Sequence, residues 1–208
     1  DGMEQVILDC NVMATGYEFY AVETRAISSA QDILAYTVDT VGRRICTIQF
    51  KNLETGEVLP DVIPDVTSNI AWANDNRTLF YAKQDPTTLR PFQIYRHRLG
   101  TSVSDDQLVY EEADETFGAA VFKTKSKKYL MVASVQTLST EYRFLEADDP
   151  TGSFTVFLPR EREYEYHVDH RDNKFYVRTN LDAKNFRLME TLVGQTGTKH
   201  WREVVPYR

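Results

Sequence analysis

The chain has 208 residues, 42% hydrophobic and 26% charged, which fits one large or two small globular domains and argues against disorder. Its net charge of -7 disfavours nucleic acid, whose phosphates call for a basic stripe, and no run approaches the roughly 18 apolar residues needed to span a bilayer. Two cysteines, Cys10 and Cys46, are too few for a disulfide framework, so a reducing, cytoplasmic setting is expected.

The opening Asp1-Gly2-Met3-Glu4-Gln5 has neither the basic nor the apolar region of a secretory signal. Without an initiator Met, the chain is read as a piece of a longer one. Residues 1–24 are expected to form a connector, with Val6-Ile7-Leu8 as a strand and Asn11-Val12-Met13-Ala14 as a short helical turn.

A repeat follows. A short strand, a polar turn and a strongly apolar strand occur four times: Ala26–Ser29 to Ile33–Tyr36, Ile70–Ala73 to Leu79–Tyr81, Ala120–Phe122 to Tyr129–Val132, and His167-Val168 to Phe175–Val177. Leu34, Leu79, Leu130 and Phe175 stand at equivalent places, at intervals of 45, 51 and 45 residues. The linkers carry Asn, Asp or Ser, whose side chains close tight turns.

Each unit continues into a second hairpin, whose first strands read Thr47–Phe50, Gln93–Arg96, Tyr142–Leu145 and Phe186–Met189. Gly56, Gly100, Gly152 and Gly194 follow them, and glycine enters a turn with positive φ at no steric cost. The returning strands are Val58-Leu59, Leu108–Tyr110, Phe154–Leu158 and Trp201–Val205. Four antiparallel strands per unit of about 45 residues is the pattern of propeller blades. The expected fold is all-β: four consecutive four-stranded blades, about 25–67, 68–113, 114–160 and 161–208, forming a partial β-propeller over 25–208. Helical solenoids fail because the apolar residues lack helical spacing. A β-sandwich is the rival architecture, which the matched turns disfavour.

Signals of chemistry are few. None of the 9 glycines stands in a Gly-x-Ser-x-Gly elbow, and neither phosphate-binding glycine motif occurs. No catalytic residue, metal or cofactor is therefore assigned. His167, Asp169 and His170 suggest ligands, but strand residues three apart point to opposite faces. Asp148–Gly152 lacks the alternating ligands of a calcium loop and reads as a turn. Lys123, Lys125, Lys127 and Lys128 read as a solvated hairpin tip, and Arg160-Glu161-Arg162-Glu163 as an exposed connection. His97 and His200 carry no signal.

Several longer phrases are more specific: Phe50–Pro64, Trp72–Tyr81, Tyr95–Gly100, Asp148–Gly152 and Lys184–Met189. They resemble the oligopeptidase B group of the prolyl oligopeptidase family of serine peptidases, along nearly the whole chain. That resemblance implies a seven-bladed propeller capping an α/β-hydrolase domain of the same parent chain, which cuts short peptides after Lys or Arg. The propeller would be its lid and filter, inactive when alone. In a propeller the first strand of each blade lines the axis, so Arg25, Asn69, Lys123 and Asp169 are the candidates to face the tunnel or the hydrolase domain. The competing role is a stand-alone scaffold for other proteins. An incomplete ring would leave two blade faces and an edge uncovered, so self-association, or closure into a four-bladed ring, is expected.

Overall fold

The computed structural model describes residues 4–207. Asp1, Gly2 and Met3 of the expected connector and Arg208 of the expected last blade lie outside the described residues.

Asp9 starts helix α1 (Cys10–Met13), its carboxylate accepting from the N–H groups of Asn11 and Val12 at 3.1 Å each. Val6-Ile7-Leu8 is not a strand. The stretch is cover for a sheet face instead: Lys51 Nζ donates to the Ile7 carbonyl at 2.7 Å, and Leu8, Met13 and Tyr20 pack on Leu34, Tyr36 and Val38.

Sixteen strands then form four antiparallel sheets among the described residues. The first is β1 (Ala21–Ile27), β2 (Ile33–Asp39), β3 (Cys46–Asn52) and β4 (Val58–Val66). It takes in four residues expected in the connector. The second is β5 (Ile70–Trp72), β6 (Thr78–Gln84), β7 (Pro91–Arg98) and β8 (Gln107–Glu111). The third is β9 (Gly118–Lys123), β10 (Tyr129–Gln136), β11 (Ser139–Glu146) and β12 (Thr155–Leu158). The fourth is β13 (Tyr166–Arg171), β14 (Lys174–Thr179), β15 (Arg187–Leu192) and β16 (Arg202–Val205). Within each sheet, spatial order equals chain order, the simple up-and-down pattern of a blade.

The first hairpin of each blade turns on one shared backbone device. Gln31, Asn76, Lys127 and Asp172 all have positive φ, 65°, 58°, 63° and 57°, two residues before the next strand. Asn and Asp tolerate that region; Gln and Lys hold it only because the hairpin fixes them.

The second hairpins agree only in part. Gly56, Gly100 and Gly194 have φ of 77°, 84° and 88°. Gly152 is absent from the positive-φ set and is needed for space: a Cβ there would meet Leu145 Cδ1 at 2.9 Å. Phe186 also departs from expectation, standing just before β15 with φ 63°, its ring under the Arg178 guanidinium at 4.6 Å.

Alternation along the strands divides the core into seams between successive blades. Phe50, Ile63, Leu79 and Tyr81 fill the first seam, Phe80, Ile94, Val121 and Leu130 the second, and Tyr129, Phe157, Phe175 and Val177 the third. No core cluster joins the fourth blade to the first among the described residues. The expectation of two bare end faces needs correction. The face carrying Leu34, Tyr36 and Val38 is covered by the N-terminal stretch. On the fourth blade, residues opposite in alternation to Phe175 and Val177 that face away from the third blade are polar: Tyr176, Arg178 and Glu190.

Candidate functional site

The first strands of successive blades lie side by side, β1 on β5 and β5 on β9. Three of the four sequence-derived candidates sit in the joints between these inner edges. Asn69, just before β5, reaches the third blade: its Oδ1 accepts from the Val121 N–H at 2.6 Å and its Nδ2 donates to the Val121 carbonyl at 2.9 Å. One amide thus satisfies both polar groups of a residue beyond its own sheet. Asp169 joins fourth blade to third, its Oδ1 accepting from the Lys125 N–H at 3.0 Å and from His170 N–H at 2.8 Å.

Lys123 ends β9, half-buried. Its Nζ donates to Asn74 Oδ1 at 2.8 Å and Ser29 Oγ at 3.3 Å, linking the third blade to the second and first. Both acceptors are neutral. Burial, with the nearby Lys127 charge, pulls its ammonium down to about 8. Arg25 belongs to no joint; it is exposed and donates to the Val22 carbonyl of its own strand at 3.2 Å.

Around the ends of these strands lie two recesses. One, of about 250 Å³, is lined by residues including Ile27, Trp72, Phe122, Ser29, Lys123 and Lys127. The other, about 480 Å³, is lined by residues including Glu23, Arg44, Asn69 and Gln84. A wider groove of about 850 Å³ runs along the hairpin tips of the third and fourth blades, past Lys125, Lys128, Asp169 and Arg171.

His167 and His170 do lie on opposite faces of β13. His167 is exposed, its Nδ1 3.1 Å from Tyr142 Oη, whereas His170 is buried, its Nδ1 2.8 Å from Ser126 Oγ. Burial keeps both imidazoles below their ordinary range.

Sequence reasoning passed over His97. It is wholly buried in the first seam, with Nδ1 2.7 Å from Asp106 Oδ1 and Nε2 3.3 Å from Asp61 Oδ1. Tyr81 Oη donates to the other Asp106 oxygen at 2.8 Å, and the Gly100 N–H donates to Asp61 at 2.6 Å. Burial pushes the imidazole down, but Asp106 and Asp61 outweigh it and raise it above its usual range. The available signal was alternation: His97 shares a strand face with Tyr95 and stands opposite Leu79, a core position.

Arg160 is a second correction. It was expected in an exposed connection, yet its guanidinium lies 2.9 Å from Glu112 and 4.1 Å above the Phe117 ring. Burial raises Glu112, and the hydrogen bonds from Arg160, Ser134 and Tyr110 outweigh it, bringing the carboxyl down to about 2. Arg162 and Glu163 are exposed as expected.

Radial four-stranded sheets, inner edges converging and seams apolar, define a β-propeller. The family model described as the prolyl oligopeptidase N-terminal β-propeller domain matches residues 1–208, and the chain belongs to that family. It is 42% identical over 206 residues to a dipeptidyl aminopeptidase BI of Pseudoxanthomonas mexicana, covering 99% of this chain and 28% of that protein. It is 31% identical over 201 residues to a Protease 2 of Moraxella lacunata, covering 96% of this chain and 29% of the relative. Among solved structures, oligopeptidase B from Leishmania major superposes with a TM-score of 0.89 at 27% identity, over 97% of this chain and 29% of that one. The chain thus spans under a third of the length of these relatives. It is a propeller domain of prolyl oligopeptidase-family peptidases. No helix among the described residues is long and apolar enough to cross a membrane.

Proposed function

We propose that this chain is the gating propeller of a cytoplasmic serine oligopeptidase that cleaves short peptides after Lys or Arg, and that it is not itself catalytic. The match of all 208 residues to the family's propeller carries this reading. The chain contains no nucleophile elbow, so the chemistry is assigned to the α/β-hydrolase domain of the same parent. A propeller with closely packed seams would exclude bulk water from the chemistry and admit only unfolded, short substrates. Arg25, Asn69, Lys123 and Asp169 are proposed to border the passage, the last three holding its inner edges in register. Two unpaired cysteines, Cys10 exposed and Cys46 buried, suit a reducing compartment.

The 42% identity to a protein called a dipeptidyl aminopeptidase favours a second reading, release of dipeptides from peptide N-termini. The scaffold alternative leaves these similarities to peptidases without a cause. The intact parent protein, assayed on a benzoyl-arginine amide and on a dipeptidyl amide with a free amino group, separates the readings. Serine-inhibitor-sensitive turnover of the first is expected. Turnover of the second alone would replace the endopeptidase reading, and turnover of neither would remove both. The 208-residue chain by itself is expected to turn over neither.

A further inference from the structure

The 250 Å³ recess at the inner edge of the first three blades combines two features that ordinarily occur apart. Its walls are apolar: Trp72 and Phe122 flank it, and Ile27 leaves 51% of its surface exposed at the end of β1. Its lining is also cationic, with Lys123 and Lys127.

The charge of Lys123 is not neutralised by contact. Lys123 Nζ has only neutral acceptors, Asn74 Oδ1 and Ser29 Oγ, and no carboxylate oxygen lies within 4 Å of it among the described residues. The charged groups that act on it from the surrounding turns are Lys127, Asp148 and Asp75. Both carboxylates are engaged elsewhere. Asp148 accepts from Asn74 Nδ2 at 2.8 Å, and Asp75 accepts from Arg77 N–H, Thr78 N–H and Thr78 Oγ1 at 2.6–3.0 Å. Asn74 is fixed as well, its N–H on the Ala147 carbonyl and its Nδ2 on the Lys127 carbonyl, so the ammonium is held in place by second- and third-blade turns. Burial and the Lys127 charge disfavour the ammonium there, and an incoming anion would favour it.

We propose that this recess is a subsite for the C-terminal carboxylate of a short peptide, with Lys123 and Lys127 holding the carboxylate and Ile27 and Phe122 receiving the last side chain. The proposal rests on the reading that the parent handles short peptides. A charge-assisted hydrogen bond in a half-buried site discriminates strongly between a carboxylate and an amide of equal size. Length selection follows: a peptide whose end can reach the recess gains an anchor that a longer polypeptide, with its terminus elsewhere, does not.

The test is calorimetric binding to the intact parent protein with its nucleophile blocked by an organophosphate, using tripeptides that end in Leu as the free acid or the amide. The acid is expected to bind about tenfold tighter than the amide at pH 7, the step that one charged hydrogen bond supplies. Lys123→Met is expected to remove most of that ratio and Lys127→Met part of it. Lys125→Met, on the groove side of the hairpin, should leave it intact. An amidated tripeptide ending in Asp binding as tightly as the free acid would overturn the assignment to the terminal carboxylate. Equal binding of acid and amide, or an unchanged ratio in both Lys123→Met and Lys127→Met, would overturn the subsite. Failure of the peptidase reading shows separately, as no hydrolysis and no organophosphate uptake, while the binding ratio is still measured. Thermal melts of each variant identify any loss of fold, and the exposed Lys127 keeps the question decidable if Lys123→Met does not fold.

Discussion

His97→Ala should loosen the first seam as much as truncating one of its large apolar residues. The imidazole lies between Asp106 at 2.7 Å and Asp61 at 3.3 Å, and its side chain is 0% exposed. Asp61 is on β4 of the first blade, while His97 and Asp106 belong to the second, so the interaction crosses the seam. Removing one member of a buried ion pair strands the others without a partner and costs about 3–5 kcal/mol. For a chain of this size each kcal/mol moves the melting temperature by about 2–4 °C, so a fall of at least about 6 °C is expected. The pH dependence has a definite sign. The folded-state affinity for the proton is raised above the ordinary 6.5, so the stabilisation is complete below about 6.5 and fades as pH rises through the folded value. Melting from pH 6 to 9, with hydrogen exchange of the Gly100 amide that Asp61 holds, reads both effects. A variant that melts like the native protein, or that keeps the native alkaline loss, would show that His97 is neutral filler and refute the reasoning.

Asn69→Ala leaves the Val121 N–H and carbonyl without their partner and should cost about 2 kcal/mol, read by chemical denaturation, whereas Asn69→Gln should recover little because the bidentate geometry is lost. Gly56→Ala should destabilise by about 1 kcal/mol through its φ of 77° alone, since a Cβ there meets nothing within 4 Å. Gly152→Ala should instead act by crowding Leu145, so trimming that residue in Gly152→Ala/Leu145→Val should give less loss than the sum of the single changes. Light scattering of the 208-residue chain over a concentration series should show self-association that weakens with added salt, because the uncovered face of the fourth blade is polar; a monomer at every concentration would count against it.

What was legible in the sequence was what repeats. Leu34, Leu79, Leu130 and Phe175 recur because each must open the apolar second strand of a blade, and the turn before it closes on Gln31, Asn76, Lys127 or Asp172 with the same backbone twist. A repeated requirement leaves a repeated pattern, and four copies make it readable. The polar fasteners leave none, because each seam uses different chemistry. A histidine between two aspartates joins the first pair of blades. The Asn69 amide joins the second pair, and in the third Asp169 and the reciprocal hydrogen bonds of Thr140 with Tyr166 do the work. A lone His97 among 208 residues is indistinguishable from a surface histidine until strand pairing puts it opposite Leu79. The same limit explains Gly152, which shares a sequence position with three positive-φ glycines and a different physical reason.

The two end faces complete the contrast. On the first blade the outward residues Leu34, Tyr36 and Val38 are apolar, and Leu8, Met13 and Tyr20 of the stretch before β1 cover them. On the fourth blade the equivalent face is built from Tyr176, Arg178 and Glu190, with Lys174 Nζ 3.0 Å from Glu190 and Arg202 on the same carboxylate. Such a face needs no apolar cover to stay in water, and anything docked on it must offer hydrogen bonds and compensating charge or lose the hydration of those groups. The three internal seams are closed mainly by apolar side chains such as Tyr81, Phe80 and Phe175, with a polar fastener already paired in each. A second molecule held on this face of the fourth blade should therefore bind less tightly as salt rises, which the same scattering series reads.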